Sequence, residues 1–342
     1  MSAPLLSVIV PAHQAAAQLP VALAALGRSD FPRSQWQLIV VDDASTDETA
    51  AIAMQSGTDD VVSLPAPKHG PAFARNRGAE ICTGEWLVFV DADVAVHANT
   101  LSRLAAIIEA EPDVDGIFGA YDDSPAACGF LSQYRNLRHR YLHLRSEGEA
   151  ATFWAGCGAV RRSAFVAAGG FDEVRYDRPQ IEDIELGYRL RERGSRIVLR
   201  PEVQATHLKR WTFRDAVRVD VWDRGVPWVR LLLERGELAS ASTLNIERGE
   251  RSKTVAVSAA LVLLLAALSW PSRWLAVIAF LLLAAVAIAN HPQIVWFSKR
   301  RGARFAMLVV PMHLWYYVIT ALSVMLGVGL HLVQRRSVAI RI

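Results

Sequence analysis

The sequence predicts an α/β fold: a mostly parallel sheet with helices on both faces, followed by an interfacial helix and C-terminal transmembrane helices. Between residues 5 and 210, short apolar runs alternate with segments of helical character, an order typical of a parallel sheet covered on both sides. Hydrophobic residues make up 52% of the chain and accumulate after residue 254. We therefore expect a soluble unit joined to a membrane unit. A length of 342 residues also suggests about two domains.

The predicted sheet domain begins with four strands and the helices between them. Apolar runs predict strands at Leu5–Pro11, Trp36–Val41, Val61–Leu64 and Trp86–Val90. Helical segments cover 15–27 and 72–82, and a later helix runs from Glu182 to Gly194. Ser45 and Glu48 have the spacing of a capping box, which predicts that one more helix begins just after Ser45.

Polar residues follow three of these strands, at the edge where a parallel sheet binds its ligands. The three segments are Ala12-His13, Asp42-Asp43 and Asp91-Ala92-Asp93. The last segment predicts either a solvated turn or a site for Mg²⁺ or Mn²⁺, because both ions take oxygen ligands. The Asp42-Asp43 pair predicts either a helix N-cap or a contact to a nucleotide base or ribose.

Two further segments allow more than one interpretation. The turn and helix start from Gly70 to Asn76 could bind an anion beside Arg75, and a solvated Arg75 is the alternative. Glu182, Asp183 and Glu185 open a helix, where acids either compensate the helix dipole or take part in catalysis.

Composition excludes several classes of protein. With 37 Lys+Arg against 34 Asp+Glu, the net charge of +3 is too small for a nucleic-acid partner. Cys82, Cys128 and Cys157 form neither a disulfide framework nor a zinc motif, which favours a reducing compartment. Met1 to Leu6 does not resemble a cleaved signal peptide, so we expect the N-terminal domain in the cytoplasm.

The sequence changes character after residue 210. We expect a sheet domain over 1–210, amphipathic interface helices over 211–253 and a membrane anchor over 254–342. Phe213, Val217 and Val221 are spaced by four among arginines, which predicts either a helix lying in the membrane interface or an amphipathic helix that closes the soluble domain.

The anchor is predicted to contain three spans, 255–270, 274–290 and 306–333. Trp270 and Trp274 would lie at interfacial depth between the first two spans. The cytoplasmic loop before the third span is marked by four basic residues, Lys299, Arg300, Arg301 and Arg304. Three complete spans would, however, place a second basic group on the outer face, against the positive-inside rule; its members are Arg335, Arg336 and Arg341.

Taken together, six segments resemble glycosyltransferase family 2, whose members have the GT-A fold. They are VIVPAH (8–13), VVDDASTDET (40–49), GPAFARNRGA (70–79), GEWLVFVDADV (84–94), GGFDE (169–173) and EDIELGYRLRERG (182–194). Each segment alone is a weak signal, but their order and spacing are specific, and the resemblance covers roughly residues 5–211.

The resemblance implies roles for particular residues. The nucleotide sugar would contact Pro11, Ala12, His13, Asp42, Asp43, Arg75, Asp91, Ala92 and Gly156. A divalent metal, Mg²⁺ or Mn²⁺, would bind Asp91, Asp93 and His207, while Asp183 beside Glu182 would be the catalytic base. Trp154, Arg210 and Trp211 would lie on the acceptor side. His207 stands where processive synthases of the family have Gln, so the resemblance does not support polymer synthesis.

The implied activity is an inverting, metal-dependent transfer of a sugar from a nucleotide-diphosphate sugar, with UDP as the default nucleotide, to a lipid-linked or membrane acceptor. The catalytic domain would face the cytoplasm from a multi-pass protein of the cytoplasmic (inner) membrane. The alternatives are a processive polysaccharide synthase, a non-catalytic sugar-nucleotide-binding subunit of an export assembly, and a nucleotidyltransferase.

Overall fold

The computed structural model describes residues 4–239, 248–270 and 272–339. It divides the chain into two compact units, Met1–Trp211 and Thr212–Ile342. Three parts of the sequence predictions lie outside the described residues, namely 240–247 of the interface segment, the turn residue Pro271 and the terminal Arg341.

A single sheet organises the first unit. Within the described residues its strands are β1 (Leu6–Ala12), β2 (Trp36–Asp42), β3 (Asp60–Ser63), β4 (Trp86–Val90), β5 (Val94–Val96), β6 (Val114–Tyr121), β7 (Gly148–Glu149), β8 (Cys157–Arg161) and β9 (Arg196–His207). Their order is β3-β2-β1-β4-β8-β6-β9-β5, with β7 paired to β9. The strands β1 to β4 are mutually parallel where they pair, whereas β8 runs antiparallel between β4 and β6.

Helices cover the sheet between these strands. They are α1 (Leu19–Gly27), α2 (Thr49–Gln55), α3 (Pro71–Ile81), α4 (Thr100–Ala110), α5 (Phe130–Arg145), α6 (Arg162–Ala168) and α7 (Glu182–Glu192). The predicted α/β architecture is therefore confirmed.

The central strands form because their apolar runs are buried on both faces, as in other parallel sheets. Val8 of β1 pairs with Leu38 of β2 and Val88 of β4, and all three side chains are at most 2% exposed. This register brings the carboxyl ends of β1, β2 and β4 to one edge. The polar segments that follow these strands consequently lie at that edge.

The capping box predicted at Ser45 does not form. Helix α2 begins at Thr49 instead, and Glu48 at its start makes no side-chain cap. The Ser45 hydroxyl accepts a hydrogen bond from the backbone N–H of Gln14 (2.9 Å), and Thr49 accepts one from Ala15 (2.8 Å). These side chains tie the loop after β2 to the loop after β1, so Ser45 is not at the helix end.

The second unit is helical. Its elements are α8 (Phe213–Arg218), a π-helical segment (Val219–Gly225), α9 (Val226–Glu234), α10 (Arg248–Ser269), α11 (Arg273–Ala289), α12 (His291–Arg301) and α13 (Ala303–Ala339). By length and composition, Gly249–Ser269 and Ala303–Gln334 could each cross a membrane. The pair α11 and α12 is bent by 59° and could form a third crossing, so the described helices offer two or three candidate spans where the sequence predicts three.

The predicted apolar stripe over 213–221 packs within this unit. Val217 and Val221 contact Ile319 and Leu326 of α13, and the ring of Phe213 lies 5.5 Å from that of Trp315. The stripe therefore covers another helix of its own unit, an arrangement that neither sequence interpretation anticipates.

Candidate active site

The edge of the sheet after β1 and β2 is built from interlocked loops. Nδ1 of His13 lies 2.7 Å from the backbone oxygen of Asp43, and the Asp43 N–H donates to the Ala12 carbonyl (2.8 Å). Pro11 is half-buried and Ala12 is buried at the end of β1. The predicted nucleotide contacts at Pro11, Ala12 and His13 thus lie together on this edge.

Asp42 and Asp43 are both buried and neither caps a helix. The Asp43 carboxylate accepts hydrogen bonds from the backbone N–H groups of His69 (2.8 Å) and Gly70 (2.7 Å). Gly70 has φ +99°, and a Cβ there would lie 2.4 Å from the backbone oxygen of Asp177. Asp43 therefore fixes the turn before α3, while Asp42 accepts from the Ser45 N–H at 3.3 Å.

Arg75 on α3 connects two of the predicted acidic segments. One guanidinium nitrogen donates to Glu182 (2.9 Å) and the other to Asp91 (2.6 Å), and the Arg75 side chain is only 5% exposed. Burial alone would lower the pKa of Arg75, but Asp91 and Glu182 raise it above its ordinary value. Arg75 is thus a permanent buried cation. It joins the segment Asp91-Ala92-Asp93, which follows β4 and which we call the metal motif after its predicted role, to the start of α7.

Glu182 is committed to this arrangement. It is 5% exposed, with one carboxylate oxygen bonded to Arg75 and the other accepting from the backbone N–H of Gln180 (2.8 Å). Glu182, which the sequence predicts as catalytic together with its neighbour, therefore has both carboxylate oxygens in hydrogen bonds within the protein.

Asp183, the next residue, is placed differently. It is half-buried, and its Oδ2 accepts from the backbone N–H of Ala155 (3.1 Å) while Oδ1 accepts from that of Ile184 (2.8 Å). The close approach of α7 to this loop depends on Gly187, where a Cβ would lie 2.3 Å from the backbone nitrogen of Phe153. The Asp183 carboxylate is therefore oriented by the loop that carries Trp154.

The same loop reaches the metal motif. The Asp91 N–H donates to the Gly156 carbonyl (3.3 Å), one residue beyond the Ala155 N–H that binds Asp183. A Cβ at Gly156 would lie 2.6 Å from the Trp154 indole, so only glycine fits beneath this ring. Asp91, Gly156, Trp154 and Asp183, predicted separately, are thus brought together.

The two acids of the metal motif differ in their surroundings. Desolvation raises the pKa of Asp91 although Arg75 opposes it, and the nearby Asp93 raises it further. Desolvation also acts on Asp93, but the nearby His207 and the charge of Lys209 bring its pKa below the ordinary value. Asp93 is consequently the acid that remains ionised most readily.

The donor set fits a divalent metal held partly by substrate. Nε2 of His207 lies 3.8 Å from Oδ2 of Asp93, but Oδ1 of Asp91 is turned to Arg75. In the described part of the chain, no three His, Cys, Asp or Glu side chains form a ready-made metal cluster. Asp93 and His207 would therefore bind Mg²⁺ or Mn²⁺ together with diphosphate oxygens, as these ions often do, and the three-ligand set with Asp91 is not preassembled.

An aromatic cluster, which the sequence analysis missed, backs these residues. The ring of His207 stacks on Tyr121 (4.5 Å, 15°), and Tyr121 meets the edge of Trp154 at 4.9 Å. His139 and His143 of α5 complete the cluster at 4.8 and 5.5 Å from Trp154. Desolvation lowers the pKa of His143 to about 4, and its Nδ1 lies 2.8 Å from the Gly119 oxygen. The cluster joins residues far apart in the chain, and of its members only Trp154 and His207 stand in segments that the sequence singles out.

The predicted acceptor residues follow β9. The backbone N–H of Trp211 donates to the Ser132 hydroxyl of α5 (2.9 Å). Two cations lie over the Trp211 ring, Arg135 at 4.0 Å and Lys209 at 4.4 Å. Arg210 is exposed. Of the two cations over the Trp211 ring, Lys209 is also near enough to Asp93 to lower the pKa of that acid.

The geometry agrees with comparisons to known proteins. Residues 7–168 match the family model described as glycosyl transferase family 2. A mannosyltransferase from Pyrobaculum calidifontis, solved with GDP-Man and Mn²⁺, superposes with TM-score 0.56 at 18% identity over 95% of this chain and 88% of its own. The fold is therefore the GT-A fold of glycosyltransferases. More particularly, the segment at 7–168 is a glycosyl transferase family 2 domain.

Curated relatives match over shorter stretches. A PGL/p-HBAD biosynthesis glycosyltransferase of Mycobacterium bovis (strain BCG / Pasteur 1173P2) is 33% identical over 132 residues, 35% of this chain and 47% of the relative. The poly(ribitol-phosphate) β-N-acetylglucosaminyltransferase TarS of Staphylococcus aureus (strain Mu50 / ATCC 700699) is 34% identical over 106 residues, 30% of this chain and 18% of TarS. The chain thus spans about half the length of the first of these relatives and less of the second.

Proposed function

We propose that the protein transfers a sugar from a nucleoside-diphosphate sugar, with UDP-sugars the first donors to test, to a hydroxyl group of a lipid-linked or membrane acceptor, with inversion at the anomeric carbon. The observation that carries the proposal is the convergence on one loop of Asp183 and the metal motif. Ala155 binds Asp183, Gly156 binds Asp91, and Arg75 clamps Asp91 to the start of α7.

Asp183 is the proposed general base. A hydroxyl group is a weak nucleophile until its proton is removed, and a positioned carboxylate contributes roughly 10² to 10⁴-fold to such a step. Two backbone N–H groups stabilise the ionised form of Asp183 and fix its orientation. Asp183 would therefore accept the hydroxyl proton as the acceptor oxygen attacks the anomeric carbon and the diphosphate leaves.

Positive charge beside Asp93 would receive the departing diphosphate. A divalent cation bound by Asp93 and His207 would supply most of it. Lys209 lies close enough to lower the pKa of Asp93 and makes no ion pair with the described acids. Arg75 contributes indirectly, because it fixes Asp91 and leaves Asp93 facing His207.

The aromatic cluster is the proposed floor of the sugar site. Trp154 belongs to the loop that binds Asp183 and contacts Tyr121, which in turn stacks on the proposed metal ligand His207. A sugar bound over Trp154 would have Asp183 on one side and the diphosphate on the other, as a direct displacement requires.

The apolar helices support a membrane location. Two described helices could cross a bilayer by length and composition, and the acceptor-side residues Arg210 and Trp211 immediately precede this unit. We propose that the protein resides in the cytoplasmic (inner) membrane as a multi-pass protein with its catalytic domain in the cytoplasm, where nucleotide sugars are present.

A donor panel tests the proposed function directly. Full-length protein in native membrane lipid would be given UDP- and GDP-sugars with Mn²⁺ or Mg²⁺, and the release of nucleoside diphosphate measured. We expect one donor to give acceptor-dependent release. Failure of every donor would support the non-catalytic alternative, and a ladder of product lengths would support the processive one.

A further inference from the structure

Helix α13 is apolar enough to cross a membrane, yet a charged helix runs along half of it. The backbone stays helical from α8 through the π-helical segment into α9, and we call residues 213–234 the charged rod. Eight side chains of the charged rod are ionisable: Arg214, Asp215, Arg218, Asp220, Asp223, Arg224, Arg230 and Glu234.

The charged rod contacts α13 along its whole length. At one end Phe213 meets Trp315 (5.5 Å), and at the other Arg230 donates to the Gln334 side chain (2.7 Å). At about 1.5 Å per residue, the paired stretch from Trp315 to Gln334 is about 28 Å long. This length is close to the roughly 30 Å thickness of a bilayer core.

The two helices approach closely between these ends. A Cβ at Gly225 would lie 2.3 Å from the Ser323 hydroxyl, and one at Gly327 would lie 2.7 Å from Val229. Val221 and Val226 pack on Ile319. The pairing is therefore a packed interface, and the charged rod must share the depth of the C-terminal half of α13.

That depth cannot be the hydrocarbon core. Charged side chains inside a membrane face a bundle interior or a water-filled cavity, whereas Arg214, Arg218 and Arg224 are exposed on the charged rod. Arg218 pairs with Asp223 at 3.5 Å but remains 66% exposed. Were α13 to span, these arginines would face lipid tails.

The other side of the pair is apolar. On the C-terminal half of α13 five large hydrophobic residues are exposed: Leu322, Met325, Leu330, Leu332 and Val333. A helix pair with charge on one helix and exposed apolar side chains on the other suits the membrane surface.

The hairpin of α10 and α11 has the opposite character. Most of its exposed side chains are apolar, including Val262, Leu265, Leu268, Phe280 and Ile288. From Thr254 to Ser272 and from Trp274 to Ala289 it carries no charged residue. It is the described part of the chain best suited to contact lipid tails.

Polar side chains join the base of this hairpin to the middle of α13. Lys253 donates to Glu250 (2.7 Å) and Asn290 (3.0 Å), and the Tyr317 hydroxyl donates to Glu250 (3.0 Å) and lies 3.1 Å from Oδ1 of Asn290. An ion pair and its amide partner are expected at interfacial depth. Tyr317 therefore places the middle of α13 at that depth as well.

We propose that only the α10–α11 hairpin crosses the bilayer, and that α13 lies with the charged rod on the surface from which the hairpin enters. Both chain ends are then on one side. The conflict with the positive-inside rule disappears, because Arg335, Arg336 and Arg341 share a side with the basic residues of 299–304. The inference rests on the proposed membrane attachment and is independent of the proposed sugar transfer.

Cysteine labelling in cells tests this topology. In a Cys128→Ser background, which removes the exposed native thiol, single cysteines are introduced as Ser2→Cys, Ser272→Cys and Ile342→Cys. A membrane-impermeant maleimide should label Ser272→Cys in intact cells, and the two terminal variants only after permeabilisation. Labelling of Ile342→Cys in intact cells, or no labelling of Ser272→Cys there, would overturn the proposal. Loss of the protein from carbonate-washed membranes would instead reject the membrane attachment.

Fluorescence quenching by spin-labelled lipids gives a second test, in which two probes at equally exposed positions are compared. Met325 on α13 and Leu265 on α10 are each 65% exposed, so Met325→Cys and Leu265→Cys can carry the same environment-sensitive fluorophore. In phosphatidylcholine and phosphatidylglycerol vesicles, spin labels near the head group should quench the Met325→Cys probe most, and labels near the bilayer centre the Leu265→Cys probe. Equal quenching of both probes by the deep label would show that α13 spans.

Discussion

Two parts of the candidate site use the same residue types in different ways. Around Arg75, the carboxylates of Glu182 and Asp91 are bonded to a buried cation. The other two acids have different surroundings: Asp183 accepts hydrogen bonds from backbone N–H groups, and Asp93 faces His207. We call the first set the Arg75 hub and the second set the rim.

Acids that are close together in the sequence therefore have different partners in the structure. In each pair, Glu182 with Asp183 and Asp91 with Asp93, one carboxylate belongs to the Arg75 hub and the other to the rim. The histidines of the aromatic cluster divide likewise, since His143 is buried against Gly119 while His207 faces Asp93. The Arg75 hub should therefore control stability and the rim should control catalysis.

The largest effect is expected at the proposed base. Asp183→Asn keeps the size of the side chain but cannot accept the hydroxyl proton, so kcat should fall by roughly 10³-fold or more while donor affinity stays nearly unchanged. Steady-state rates and calorimetric donor binding check both parts. Asp30→Asn, an exposed acid on the same unit, is the matched control and should retain full activity. Retained turnover in Asp183→Asn would remove it from the mechanism.

The Arg75 hub should respond in stability. Arg75→Met leaves two carboxylates without their buried cation, and breaking a buried ion pair costs about 3–5 kcal/mol. Thermal unfolding of the full-length protein in detergent measures the loss. Arg33→Met is the control, because its ion pair with Asp59 is largely exposed and should be worth at most about 1 kcal/mol. Equal Tm changes in the two variants would contradict a structural hub.

Acid should destabilise the protein through His143. Since desolvation lowers its pKa from 6.5 to about 4, the unfolded chain binds a proton between these values and the folded chain does not. Stability from this group is thus complete above pH 6.5 and lost as pH falls towards 4, on the order of 3 kcal/mol in all. His143→Asn should flatten this part of the pH dependence of Tm. The exposed His13→Asn serves as control, and an unchanged slope in His143→Asn would refute the assignment.

The smallest effect separates the two acids of the metal motif. Asp93→Asn should weaken Mn²⁺-dependent activation at least roughly ten-fold, because it removes a charged ligand. Asp91→Asn should shift the Mn²⁺ titration less and the Tm more, since Asp91 is bonded to Arg75. The reverse ranking would place Asp91 on the rim and Asp93 in the hub.

Much of the fold could be predicted from local sequence. Strands β1, β2 and β4 are runs of buried apolar residues, and their ends carry the polar segments that the sequence singles out. The capping box at Ser45 failed because its hydroxyl is taken by Gln14, a residue of the preceding loop. The spacing of residues within one segment cannot predict a hydrogen-bond partner that comes from another part of the chain.

Motifs in the sequence single out individual residues of the candidate site but not the contacts between them. Asp91, Asp93 and Asp183 stand in recognisable motifs, yet their division of roles depends on Arg75, whose bond to Glu182 spans 107 positions in sequence. The ring of Tyr121 stacks on that of His207, which is also far from it in the sequence, and no motif predicts this contact. The packing of the charged rod against α13 likewise depends on contacts between distant residues, such as that of Phe213 with Trp315.

The anomeric configuration of the product tests the central claim most directly. With Asp183 as a base and no covalent intermediate, the acceptor attacks the donor sugar once. For an α-linked donor, nuclear magnetic resonance of the first-formed product should therefore show a β linkage. An α-linked product would mean retention of configuration and would contradict the single inverting attack in which Asp183 is the base.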